Sequence, residues 1–130
     1  MNIVFSWVRE DGEYTPRSQS DLVNSDGLGL LDCVLMDDGG LPYWETTPWL
    51  YEGLKMIESV TIGKSEACDW SRETWGVHLS RENAKIYSLY EEGCFQVVSI
   101  VEFSKVLAAW VDFIQSKPNV DNPIVIQLNT

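Results

Sequence analysis

The clearest pattern along the chain lies near its C-terminal end. Ile100, Phe103, Leu107, Trp110 and Ile114 recur at spacings of three and four, which places them on one face of a helix. Ser99 and Glu102 form an S-x-x-E capping box in front of that stripe, Val98 and Phe103 take the staple positions, and Lys117-Pro118 ends it. The spacing predicts a helix over Ser99 to Ser116 that covers a sheet. A second helix is predicted from about Pro48 to Glu58, with Thr47 as its cap, proline at the first position, and Leu50, Leu54 and Ile57 on one stripe.

Between these helices the period changes to two. Trp75 to Ser80 alternates large apolar with small or polar residues, Arg81 to Ala84 turns the chain, and Lys85 to Tyr90 returns it, so a hairpin is expected. Glu91-Glu92-Gly93 reads as a second turn into a strand at Cys94 to Val98, and Ala67 to Trp70 as a strand before the hairpin. Ile3 to Val8 reads as a strand followed by an acidic loop, Arg9 to Ser20. Leu30 to Met36 reads as a strand, Asp37-Asp38-Gly39-Gly40 as a surface loop, and Ile124 to Leu128 as a last strand or a tail. The expected fold is a single α+β domain over residues 1–130: an antiparallel meander with two main helices packed on one face.

Charge alters this picture. Twenty acids stand against nine Lys and Arg, a net charge of −11, and residues 1 to 58 hold eleven of those acids and only three bases. A negative surface favours basic partners and repels nucleic acid. Six residues in or before the predicted helix at Pro48 combine carboxylates with aromatic anchors: Asp37, Asp38, Tyr43, Trp44, Glu45 and Glu52. Glu10, Asp11 and Glu13 form a second acidic patch, and together these nine are the expected partner-binding residues.

Catalytic signals are sparse. The chain has no GxSxG, Walker A, GxGxxG or HExxH motif, and no cofactor is expected. His78 is the only histidine and no CxxC spacing occurs among Cys33, Cys68 and Cys94, so no metal site is expected. An enzyme would rest on His78 acting as a base with Cys68 or Cys94. No long apolar run or signal peptide is read, and three unpaired cysteines fit a reducing compartment, so the expected location is the cytoplasm, away from any membrane.

The segment from Trp49 to Lys117 resembles the immunity proteins of bacterial contact-dependent growth inhibition and related polymorphic toxin systems. The resemblance is carried by Trp49, Glu52, Gly53 and Ile57, by Trp70, Glu73 and Trp75, and by Ser99, Glu102, Phe103, Leu107, Trp110 and Phe113. It implies a small inhibitor that binds the toxic C-terminal domain of a delivered effector, often a nuclease. An acidic domain suits that task, since a nuclease holds phosphates with Lys and Arg. The alternatives are an acidic interaction or regulatory subunit of a larger assembly, and a small enzyme using His78.

Overall fold

The computed structural model describes residues 2–128. Two antiparallel sheets and three helices make an α+β arrangement among the described residues. The first sheet contains β1 (Asn2–Glu10), β2 (Glu13–Ser20) and β7 (Ile124–Gln127) in the order β2-β1-β7. The second contains β3 (Ala67–Ser71), β4 (Trp75–Ser80), β5 (Asn83–Ser88) and β6 (Phe95–Ser99) in sequential order. The helices are α1 (Leu30–Met36), α2 (Thr47–Thr61) and α3 (Ile100–Gln115).

The second sheet is the meander expected from the alternation of its strands. Trp70, Val77, Leu79, Ala84, Ile86 and Val98 turn inward and are buried, while Asp69, His78, Lys85, Phe95 and Val97 face out. Of the two readings of Ile124 to Leu128, last strand or tail, the strand is observed over Ile124–Gln127, paired along β1 from Asn2↔Gln127 to Phe5↔Ile124.

Three expectations are corrected. The supposed acidic loop Arg9 to Ser20 is largely β2, joined to β1 by the two-residue turn Asp11-Gly12, whose φ values of 51° and 80° are both left-handed as a tight hairpin turn demands. Pro16 and a polar composition disguised this strand. It tolerates the proline because it is an edge of its sheet. Leu30–Met36 is helical, with Leu30, Leu31, Val34 and Leu35 buried together. Thr47 is not the cap of α2: Thr46 holds that position without a capping side-chain bond, its hydroxyl donating to the Tyr43 carbonyl at 2.7 Å.

α3 also differs from a helix lying on one sheet. It packs on β5 and β6, while Trp110 and Phe113 meet Phe5 and Trp7 of the other sheet at ring separations near 5 Å (Phe5–Trp110 5.0 Å, Trp7–Phe113 4.9 Å). Being covered from both sides, it buries Val106, Val111 and Phe113 as well as the stripe foreseen from spacing. Its start agrees with the capping motif, since the Ser99 hydroxyl accepts from the Glu102 N–H at 3.1 Å. Ser99→Ala is expected to cost about 1 kcal/mol, visible as a lower urea midpoint at unchanged slope.

Candidate functional site

The segment from Met36 to Thr46 leaves α1, passes Gly39 and Gly40 with φ of 62° and 84°, and enters α2 through a 3-10 turn at Tyr43–Glu45. Only glycine takes such angles readily, so the paired glycines let this short segment fold back beside β2. Between the segment and β2 lies a cleft of about 450 Å³. Four of the expected residues, Glu13, Asp38, Tyr43 and Trp44, line it. Glu13 comes from β2 and the other three from the Met36 to Thr46 segment, two stretches that meet only through the fold.

The remaining expected residues are placed differently. Glu45 is exposed on the same 3-10 turn, and Glu52 is exposed on α2. Glu10 and Asp11 occupy the tip of the β1–β2 hairpin, where Glu10 pairs with Arg17 at 2.9 Å. Asp37 is half-buried and engaged by its own fold: its carboxylate accepts from the N–H groups of Thr74 at 2.7 Å and Trp75 at 3.2 Å. It therefore fastens the cleft segment to the β3–β4 turn. Asp37→Ala leaves two backbone donors without that acceptor, and a loss of about 2 kcal/mol is expected in thermal or urea unfolding.

Aromatic exposure is also divided. Trp44 is 63% exposed, whereas Tyr43 is half-buried with its ring 5.1 Å from that of Trp7. Trp49 is half-buried and donates its ring N–H to the Ser71 carbonyl at 2.6 Å, which closes part of the β3 edge. Trp44 is the aromatic side chain of this group left open to solvent.

The residue that sequence reading missed is Arg72. It is only 4% exposed and forms part of the cleft wall. Its guanidinium lies 4.7 Å from the Trp49 ring and 5.5 Å from the Trp70 ring, and Nη2 donates to the carbonyls of Leu35 and Asp37. Burial pushes its pKa down to about 10, with Asp37 and Asp38 opposing that fall. It remains charged at neutral pH, yet neither carboxylate comes within ion-pair distance. Its neighbours in W-S-R-E-T-W hint at aromatic packing, but nothing local distinguishes this arginine from an exposed one.

Of the twenty acids, only Glu10 pairs with a Lys or Arg among the described residues, and Asp69 contacts the single histidine. The negative field is thus largely uncompensated. The Asp69 pair is with His78, Nδ1 to Oδ1 at 2.9 Å, on the outer face of the second sheet. Cys94 is buried and Cys68 is half-buried, one residue along β3 from the outward-facing Asp69 and so on the opposite side of the strand. Among the described residues neither thiol is a hydrogen-bond partner of His78. Burial, then the nearby Asp32, pushes the Cys33 thiol up, which disfavours the thiolate.

No group of three or more His, Cys, Asp or Glu side chains fit to hold a metal ion occurs among the described residues, and no helix there is long and apolar enough to cross a membrane. No protein-family model, curated protein or solved structure matches the chain.

Proposed function

We propose that this chain is a cytoplasmic immunity protein that binds and neutralises a cognate toxin domain, a nuclease being the partner best suited to its charge. The observation that carries this reading is the convergence of Glu13, Asp38 and the exposed Trp44 at one cleft, with Glu45 on the adjoining turn. Carboxylates around a protruding aromatic ring match the charged rim and aromatic anchor of a protein interface. Opposed to a basic groove, such a face would steer association and occupy the path of a phosphodiester backbone. The resemblance between Trp49 and Lys117 points to the same class of partner.

The test is co-expression with the C-terminal domain encoded by the gene immediately upstream, with growth rescue and complex formation as readouts. A complex is expected, and its association rate should fall as salt rises. Asp38→Asn combined with Glu45→Gln should slow association several-fold and flatten that salt dependence, while leaving the fold intact because both side chains are exposed. Two folded proteins that form no complex at low salt would sink the assignment. Unchanged association by the double variant would move the interface away from this cleft.

A further inference from the structure

The two sheets have four edge strands, and three of them are guarded. On β2 the Ser18 N–H donates to the Met36 Sδ at 3.4 Å and the Ser20 N–H to the Asp32 carboxylate at 2.9 Å, so α1 covers that edge. β3 carries the exposed Asp69, and its Ser71 carbonyl is taken by Trp49. β6 has its Phe95 carbonyl taken by Asn24 at 3.2 Å and lies between Glu91-Glu92 and Glu102 in the sequence. β7 differs: Asn122 to Leu128 contains no charged residue, Val125 is 57% exposed and Ile124 is 44% exposed.

The alternation of an antiparallel ladder fixes which backbone groups of β7 point outward. The Asp21 N–H donates to the Asn2 carbonyl, so even-numbered residues of β1 bond to β2, and Ile3 and Phe5 bond to β7. Their partners Ile126 and Ile124 therefore face β1, while Pro123, Val125 and Gln127 turn their backbone groups to the open edge. Among the described residues Val125 has no hydrogen-bond partner on that side, and the Gln127 carbonyl accepts from the Lys105 ammonium at 2.8 Å.

We propose that β7 is a self-association edge, which pairs antiparallel with β7 of a second copy across a two-fold axis centred on Val125. In this register Val125 of each copy exchanges both N–H···O bonds with the other, and each Gln127 N–H donates to the opposing Pro123 carbonyl. Proline cannot donate the return bond to the Gln127 carbonyl, and Lys105 of the same copy already fills that place. Ile124 then lies opposite Ile126 on the core face, which covers its exposed side. Charge selects a second copy here, because two acidic chains meet at this edge without bringing carboxylate-bearing strands together. The inference does not depend on the inhibitor reading, since it concerns the isolated protein.

The test is sedimentation equilibrium of the full chain over a range of concentration and salt. A monomer–dimer equilibrium is expected, with a dissociation constant on the order of 0.1 mM, as suits an interface below the standard size. Raising the salt should strengthen it, because two chains of net charge −11 repel each other; a complex with a basic toxin should respond in the opposite sense. Amide exchange at Val125 and Gln127 should slow as concentration rises, and that at Ile124 and Ile126, already bonded to β1, should change less. Val125→Pro removes only an outward N–H and should weaken dimerisation at least about ten-fold. Val125→Glu sets like charges directly opposite each other and should weaken it several-fold at low salt; it decides the matter if the proline variant does not fold. No self-association at about ten times that concentration, protection that rises elsewhere but not at Val125, or a dimer that both variants leave unchanged would overturn the proposal.

Discussion

Trp70→Ala is expected to lower stability by about 3 to 5 kcal/mol, the range for truncating a large aromatic side chain in a core. Trp70 is 1% exposed and holds several elements at once. Its ring N–H donates to the Trp49 carbonyl in α2 at 3.1 Å, one face lies toward the Arg72 guanidinium, and the ring sits against Gly53. A Cβ at Gly53 would come within 2.7 Å of the ring, so the helix approaches β3 this closely only because residue 53 has no side chain. Gly53→Ala alone should therefore destabilise by about 1 to 3 kcal/mol through overpacking. In the Trp70→Ala background the same change meets a cavity and gains helix propensity, so the second substitution should cost little or recover stability. Additive losses in a double-mutant cycle by urea denaturation would show that Gly53 and Trp70 are not coupled in this way.

Asp32→Ala is expected to cost about 3 kcal/mol, a large effect for one of twenty acids in a negatively charged chain. Removing a carboxylate would relieve repulsion if Asp32 lay on the surface. It is 9% exposed instead, and accepts from the Ser18 hydroxyl at 2.6 Å, the Ser20 N–H at 2.9 Å and the Ser20 hydroxyl at 3.0 Å. These bonds fasten α1 to β2, and truncation leaves their donors facing a void. Asp32→Asn keeps the shape and one acceptor oxygen, and the serine hydroxyls can rotate to accept from its amide, so about half the loss is expected. Equilibrium urea unfolding of both variants checks the order; an alanine variant as stable as the parent would refute the structural role.

These two residues show where sequence is informative and where it is not. α3 was legible because its evidence is local: a cap, a stripe and a stop within twenty residues. The second sheet was legible because its strands alternate cleanly. β2 was obscured because Pro16, Arg17 and Gln19 suggest a loop, and its pairing depends on β1 rather than on its own apolar content. The Asp11-Gly12 turn was nonetheless a hairpin signal in the sequence itself.

The site divides in the same manner. Asp38, Tyr43, Trp44 and Glu13 stood out because carboxylates beside aromatics and glycines have recognisable chemistry. Asp37, next to Asp38 and identical in type, faces the β3–β4 turn instead, since one step along a bending loop reverses a side chain's direction. Arg72 was not legible because its burial is imposed by Trp49 from α2 and Trp70 from β3. The inward roles of Asp32 and Asp37 also refine the charge argument. The acids free to act on a partner, as proposed, are a subset of those counted in the first 58 residues.

The place of β1 at the centre of its sheet has a consequence for the newly made chain. Its hairpin with β2 leaves the ribosome before Trp110, Phe113 and β7, which cover its aromatic face and its second edge and follow roughly a hundred residues later. At ordinary rates of synthesis that interval is on the order of 5 to 20 s. Throughout it Ile3, Phe5 and Trp7 lack their final cover and an unpaired strand edge is open to other nascent chains. Holdase chaperones that act during this interval should therefore raise the yield of this protein more than those that act once β7 has been made.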